Sequence, residues 1–428
     1  MATSTVFATW FGSETILGSS AEFAQHGLSG VIEEPFGAAL CLILVGLFFA
    51  KRLYRMNLNT IGDFYRAQYG VWTEVIASIV MVFSYLSWVA AQFLAMGIVL
   101  NSITGLELKT SVILMSAIVT LYTALGGMWA VSMTDSIQMI VIVVGLMIVL
   151  AFLAQDQGGV LEVLKLPPET HWRWMRETEK PQIIPFVTSW MILGLGSIPG
   201  QDIFQRVMSA RSERVAVFSS IFSGLLYLTV AMIPLFLGYL AYSVLIAKDR
   251  PADLQFLIPR LIMLKTNVYV QIIFFGALLS AILSTASGAL LAPSVILSEN
   301  LLQKITPSDN HKLLRLSRLS TVFLAVISLI MALRYDKITE LVSDSSTYGL
   351  VSLFVPLVAG MFFRATNAKA AITSIIIGLV AWKLWPHQLF NLPSQLAGFL
   401  FSLLPFLMLL LWKIAHYAYR GKKSAKLS

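Results

Sequence analysis

The 428-residue chain is 57% hydrophobic and only 12% charged, about half the charged share of a soluble domain, and its mean hydropathy is +0.79. A soluble protein of 47.2 kDa has too little interior to hide that apolar surface, so lipid must be the solvent for most of it. A soluble enzyme, a disordered scaffold and a disulfide framework are excluded, and the net charge of +8 reads as the loop bias of a membrane protein rather than as a nucleic-acid surface.

A span needs about 20 mostly apolar residues. In chain order such stretches fall near 3–24, 35–53, 73–101, 109–126, 132–154, 182–202, 213–246, 268–299, 313–334, 339–363, 367–385 and 394–418, about twelve predicted transmembrane helices. With the N-terminus inside, the inner loops receive Lys51, Arg52, Arg55, Arg66, Arg206, Arg211, Arg214, Lys304, Lys312, Arg315, Arg318, Arg364 and Lys369. The tail adds Lys413, Arg420, Lys422, Lys423 and Lys426. Both termini are therefore expected in the cytoplasm. The chain has no Asn-x-Ser/Thr sequon, which favours a bacterial inner membrane over an animal cell surface, and no basic n-region of a cleavable signal peptide. Cys41 is alone, so neither a disulfide nor a CxxC site forms.

Two spans are not plain apolar helices. The first reads Ala8-Thr9-Trp10-Phe11-Gly12-Ser13-Glu14-Thr15-Ile16-Leu17-Gly18, and the sixth reads Gly194-Leu195-Gly196-Ser197-Ile198-Pro199-Gly200-Gln201-Asp202. Gly, Ser and Pro in mid-membrane leave backbone groups unpaired, which is tolerable where they face a cavity or bind something. Helix packing through small residues is the other source of such segments. Two interruptions five spans apart point instead to a transporter built from inverted repeats around a midplane site. Glu14 lies within the first of them; an acid there is functional by default or faces the outer vestibule.

Span eight places Ala281, Ser284 and Thr285 at i, i+3 and i+4, on one helix face. Two hydroxyls and a carbonyl supply neutral oxygens suited to a hard cation such as sodium. The alternative is that both hydroxyls bond back to their own helix or to a neighbour. The polar run Ser343, Asp344, Ser345, Ser346 at the start of span ten reads as an outer-gate segment or as a solvated helix start.

The run from Tyr122-Thr123-Ala124-Leu125-Gly126-Gly127 through Ala130-Val131 to Thr134-Asp135 and Gln138 closely matches a segment of the sodium:solute symporter family. Ala8-Thr9-Trp10-Phe11-Gly12, Trp88-Val89-Ala90-Ala91-Gln92, Phe204-Gln205-Arg206 and the Ser284-Thr285 helix support the match. The chain resembles that family from residue 3 to about 385. The resemblance implies an all-α integral membrane protein of the leucine-transporter fold, with two inverted five-helix repeats plus two C-terminal helices. The boundaries expected are 1–154 for the first repeat, 155–181 for an extracellular or periplasmic loop, 182–363 for the second repeat, and 364–428 for two additional helices with a basic cytoplasmic tail. Family members usually carry one more N-terminal helix and a Gly-Gly-Arg loop, whereas this chain starts almost inside core helix one.

By the family pattern, co-transported Na+ falls on the carbonyls of Ala8, Phe11 and Ala281 and on the hydroxyls of Ser284 and Thr285. Asp135 matches an aspartate linked to sodium dependence; as a plain helix-start acid it has an ordinary reading too. Asp135 and Glu14 are the two residues expected to take part in coupling. Trp10, Trp88 and Gln92 are placed at the solute, where two indole rings face a cation or simply pack. Local motifs are nearest to the choline-carrier branch, but Gly200 and Ala38 stand where that branch's cage has further aromatics.

The five His residues share no face, and no P-loop exists, so enzymatic and ATP-driven readings fail. The sequence therefore predicts a sodium-coupled secondary active symporter that imports a small organic solute such as an amine or amino acid. Its partners are that solute and the bilayer, with no nucleic acid. The rivals are a proton-coupled carrier on the same fold and a non-transporting solute sensor.

Overall fold

The computed structural model describes residues 2–175, 183–246, 248–305, 309–363, 367–386 and 392–424. The side chains of 127–132, of 310 and from 413 onward lie outside that description. The middle of the 122–138 motif, Arg364 and the basic side chains of the tail therefore cannot be placed.

The described residues carry no β-strand. The elements that build the site are α1 (Ala2–Trp10), α2 (Ser19–His26), α3 (Ala38–Leu44), α4 (Ala50–Met56), α5 (Ile61–Tyr69), α6 (Val71–Thr104) and α7 (Leu108–Gln155). They are followed by α8 (Ile183–Gly196), α9 (Gln201–Met208), α10 (Glu213–Val244), α11 (Val268–Val295), α12 (Asn310–Ala332), α13 (Ile338–Tyr348), α14 (Phe354–Phe362), α15 (Ala368–Leu384) and α16 (Ser394–Ser424). Nine described stretches are long and apolar enough to cross a membrane, and α8 with α9, bent by 47° at residues 197–200, makes a tenth.

That is two fewer than the twelve expected spans, for two local reasons. Residues 2–26 form no continuous helix, because α1 stops at Trp10 and the chain resumes as a π-helical turn at Glu14–Gly18 before α2. The helix α15 has 17 residues, about 26 Å at 1.5 Å per residue, just short of a ~30 Å hydrocarbon core. Elsewhere one helix runs through two of the expected spans. The α7 run is 48 residues, about 72 Å and more than twice a bilayer core, and it carries the candidate spans Leu108–Gly126 and Met133–Gln155.

The interior is most nearly solid around α6, where Ala90, Ala91, Phe93, Ala95 and Ile98 are fully enclosed. Small residues set the approach of its neighbours: a Cβ on Gly97 would lie 2.2 Å from Val112 of α7. Towards lipid the picture inverts, with Leu121, Leu125, Ile137, Phe218 and Phe222 exposed as a bilayer-facing surface requires.

One end of the molecule gathers the expected inner-loop cations. Arg55 and Lys51 pair with Glu213 at 2.7 and 3.4 Å, and Arg52 stacks on Phe362 at 4.0 Å. Arg66 lies 3.8 Å from the buried Glu74, which also pairs with Lys304. At the other end the described part of the loop, residues 155–175, folds back over α2: His171 and Trp172 pack edge-on against Phe23 at 5.9 and 6.3 Å.

Candidate functional site

The two broken spans meet at the centre of the molecule. At the first break the Phe11 amide still closes onto Phe7 O at 2.8 Å, but the Gly12 amide turns to Trp10 O at 3.0 Å and regular helix ends. The freed groups find side chains, as buried backbone groups must. Gln92 Oε1 accepts the Ser13 amide at 3.2 Å, and the Tyr227 hydroxyl reaches Trp10 O at 3.1 Å. At the second break Gly200 precedes α9, and Gln201 Oε1 accepts the Ile61 amide at 2.8 Å, joining this span to the start of α5.

Each second half begins on a carboxylate: Glu14 opens the π-helical turn and Asp202 lies in the first turn of α9. Both positions favour negative charge, because unpaired N–H groups and the helix dipole converge there. Each carboxylate is held by an indole. Trp10 Nε1 donates to Asp202 Oδ2 at 2.8 Å, and Trp88 Nε1 donates to Glu14 Oε1 at 3.0 Å. The Tyr85 hydroxyl donates to Asp202 Oδ1 and accepts the Asp202 amide at 3.0 Å. The Trp10 and Trp88 rings meet edge to face, 6.4 Å apart, with Tyr85 5.8 Å from Trp88.

These groups line a narrow cavity of about 50 Å³, together with Glu34, Pro199, Gly200, Ser345 and Ser346. Glu14, Glu34, Leu193 and Val342 also line an adjoining vestibule of about 260 Å³, whose remaining walls include Glu22, Glu33, Ser343 and Glu340. No Lys, Arg or His lines either space among the described residues. The polar run at the start of span ten thus contributes Ser345 and Ser346 to the cavity and Ser343 to the vestibule.

The expected solute residues separate into two kinds. Trp10 and Trp88 face the cavity. Gln92 stands behind it, fully buried, with its amide committed to Ser13 and, at 2.8 Å, to Glu14 Oε2; it positions Glu14 rather than lining the space. Gly200, where the resemblance expects an aromatic, has no room for a side chain as α9 stands, since a Cβ there would lie 2.6 Å from Asp202 Oδ1 and 3.2 Å from the Tyr85 hydroxyl.

The expected sodium residues come together only in part. The Thr285 hydroxyl donates to Ala8 O at 3.3 Å, and a Cβ on Gly12 would lie 2.7 Å from Thr285 Oγ1, so span eight touches the first break directly. Ala281 is fully buried on the same helix. Phe11 packs its ring on Phe7 and Tyr227 at 4.9 and 5.5 Å. The Ser284 hydroxyl, however, donates to Asp135 Oδ1 at 2.6 Å. Of the two expected coupling residues, Asp135 faces Arg206 and Ser284, while Glu14 faces Trp88 and Gln92.

Three site residues were not singled out from the sequence. Asp202 stood inside the sixth-span break, and the rule applied to Glu14, that an intramembrane acid is functional by default, reaches it equally. Tyr85 lies three residues before Trp88 on one helix face. Glu34 gave no local signal; its role depends on Tyr227 and Thr15, both of which hydrogen-bond it from distant segments.

The profile described as the sodium:solute symporter family matches residues 1–378. The high affinity choline transporter 1 of Homo sapiens is 27% identical over 390 residues, covering 88% of this chain and 67% of the relative. The sodium/pantothenate symporter of Escherichia coli (strain K12) is 26% identical over 439 residues, covering 94% and 86%. The fold is shared with structures of the leucine-transporter type, among them a Na+-coupled sialic acid symporter in its substrate-bound outward-open state. That structure has a TM-score of 0.78 at 18% identity, covering 94% of this chain and 87% of the other. The broken spans, the buried central cavity and the family match agree on a multi-pass sodium-coupled solute transporter and not an enzyme: the chain belongs to the sodium:solute symporter family.

Proposed function

We propose that this symporter imports a small organic cation together with sodium by alternating access. The observation that carries the reading is the pair of carboxylates, Glu14 and Asp202, that open the second halves of the two broken spans. Half-helix N-termini in this fold class are suited to anionic solute groups. Here the chain's own carboxylates fill those positions, and each is oriented by a cavity tryptophan. What the walls then offer a solute is negative charge and aromatic ring, the combination that attracts a cation. Among the relatives, one is named for choline, a cation, and another for pantothenate, a carboxylate; the absence of basic residues from the described cavity walls favours the first chemistry.

Sodium is taken to bind between the first break and span eight, on the carbonyls of Ala8, Phe11 and Ala281 and the hydroxyls of Ser284 and Thr285, with Asp135 beside it. The contact between Thr285 and Ala8 supports this placement. Binding there ties the two helices together and favours the state that accepts solute; a ligand shifts that equilibrium only by its differential affinity for the two states. The chain is read as two inverted five-helix repeats followed by two helices, with α1–α2 and α15 counted as spans and both termini in the cytoplasm.

The test is uptake of a labelled amine into proteoliposomes under an inward sodium gradient, compared with potassium and with a proton gradient. Sodium-dependent uptake, inhibited by amines and not by carboxylates, is expected. Equal uptake in potassium removes sodium coupling, uptake restored by a proton gradient favours the proton-coupled carrier, and inhibition by carboxylates alone removes the cation.

A further inference from the structure

We infer that the solute carries two separated positive groups, as a linear diamine or longer polyamine does, with one ammonium at Asp202 and another at Glu14 and Glu34. The inference rests on the organic-cation reading and narrows it.

Three carboxylates face the narrow cavity, and all three are buried: Glu14 and Asp202 are 4% exposed and Glu34 is 7%. Their described partners are neutral donors only. Glu14 is bonded by Trp88, Gln92 and Ser13, Glu34 by Thr15 and Tyr227, and Asp202 by Trp10, Tyr85 and its own neighbourhood. No described Lys or Arg forms an ion pair with any of them. Arg206 is hydrogen-bonded to Thr9 and Asp135, and of the three carboxylates only Asp202 lies within reach of its charge. Carboxylates buried within a membrane stay ionised when charge of opposite sign is supplied and otherwise take up a proton; holding both the inner end and the shared wall ionised takes two separated positive groups.

Their placement is also polar along the cavity. Asp202 lines only the inner space, whereas Glu14 and Glu34 form the shared wall between that space and the vestibule. Beyond the wall stand Glu22, Glu33 and Glu340; at the rim Glu340 pairs with Lys337 at 3.2 Å, and the His26 ring lies 3.9 Å from Glu22. Acidic groups thus mark the route from rim to inner end, where the Trp10 and Trp88 rings stand in edge-to-face contact with centroids 6.4 Å apart. A chain with ammonium ends matches acidic groups at both the inner end and the shared wall, which a single quaternary head does not. Gly200 completes the case, since any side chain there would displace the Asp202 carboxylate from the inner end.

The experiment measures thermal stabilisation of the purified full-length protein in sodium chloride by putrescine, n-butylamine, choline and pantothenate, because a bound ligand stabilises by mass action. Putrescine should give half-maximal stabilisation at a concentration at least tenfold below that for n-butylamine or choline. Asp202→Asn should reduce that ratio to threefold or less. Should that variant fail to fold, Glu34→Gln should reduce it in the same way, and the wild-type ratio stands as its own test. Choline or n-butylamine binding as tightly as putrescine overturns the two-charge inference and leaves the organic-cation reading intact. Stabilisation by pantothenate alone, or by none of the four, overturns both.

Discussion

The Ser284 hydroxyl donates to Asp135 Oδ1 at 2.6 Å, across 149 residues of sequence. The other oxygen of Asp135 lies 3.4 Å from Arg206 Nη2, and Arg206 donates to Thr9 Oγ1 at 2.8 and 3.2 Å. One chain of polar contacts therefore ties α11 to α7, α7 to α9 and α9 to α1, joining the helix of the proposed sodium site to both broken spans. Arg206 is 5% exposed and Asp135 is fully buried.

Removing one member of such a pair leaves the other charge buried without compensation, which costs about 3–5 kcal/mol. Asp135→Asn should therefore lower the thermal unfolding midpoint of the detergent-solubilised protein markedly. Asp135→Asn combined with Arg206→Gln should recover much of that loss while leaving uptake impaired. If the double variant is no more stable than the single one, the pair is not the source of the stability.

Thr285 gives a sharper test of the ion. Its hydroxyl meets Ala8 O at the end of the first half-helix, so Thr285→Ala deletes one oxygen from the proposed sodium site and Thr285→Ser keeps it. The alanine variant should raise the sodium concentration for half-maximal uptake by about tenfold, the equivalent of ~1.4 kcal/mol, and the serine variant should stay within about threefold. Ser284→Ala should act more through Asp135, changing sodium dependence together with stability. An unaltered sodium response in Thr285→Ala would reject the placement.

The parts of this site that were legible in the sequence are those whose signal is local. Gly12-Ser13 and Pro199-Gly200 announce broken helices because backbone disruption depends on the residues at the break. Ser284 and Thr285 each lie one turn beyond Ala281 because helical spacing puts them there. What was not legible depends on the fold bringing distant segments together. Gln92 reads from sequence as a solute ligand beside Trp88, yet its amide closes the Ser13 end of a half-helix 79 residues away. Asp202 gains its role from Trp10 and Tyr85, 192 and 117 residues distant. Ten of the twelve expected spans are helices long and apolar enough to cross a membrane among the described residues; hydropathy registers apolar length and does not show that the helix through residues 2–26 is interrupted.

Gly12 and Gly276 predict opposite outcomes for one kind of substitution. A Cβ on Gly12 would lie 2.7 Å from Thr285 Oγ1 and 2.8 Å from Glu14 Oε2, whereas nothing lies within 4 Å of one on Gly276. Gly12→Ala must push apart span eight and the carboxylate that opens the second half-helix, so uptake should fall more than tenfold with protein still in the membrane. Gly276→Ala, inside α11, should leave uptake unchanged and add up to about 1 kcal/mol of helix stability. Immunoblotting of membranes beside uptake rates separates the two effects.

Asn300 holds the end of the molecule at which the inner-loop cations gather. Its Nδ2 donates to Asp63 Oδ1 at 3.1 Å on α5 and to Glu74 Oε1 at 2.9 Å at the start of α6. Glu74 is itself fully buried and paired with Lys304, so one amide links the turn after α11 to the two helices beside it. Because Gln201 at the second break also accepts the Ile61 amide, α5 is where the central site and this end connect. Asn300→Ala removes two hydrogen bonds to carboxylates, worth about 1.5–3 kcal/mol each when charge-assisted, and Asn300→Asp adds a third negative group between them. Hydrogen exchange across Ile61–Tyr69 should rise at least tenfold in the first variant and further in the second. Sodium should slow that exchange in the wild-type protein, since it favours the state closed at this end, and should slow it less in Asn300→Ala. Exchange indifferent to sodium in the wild type would mean that this latch is a fixed structural joint and that the inner gate lies elsewhere.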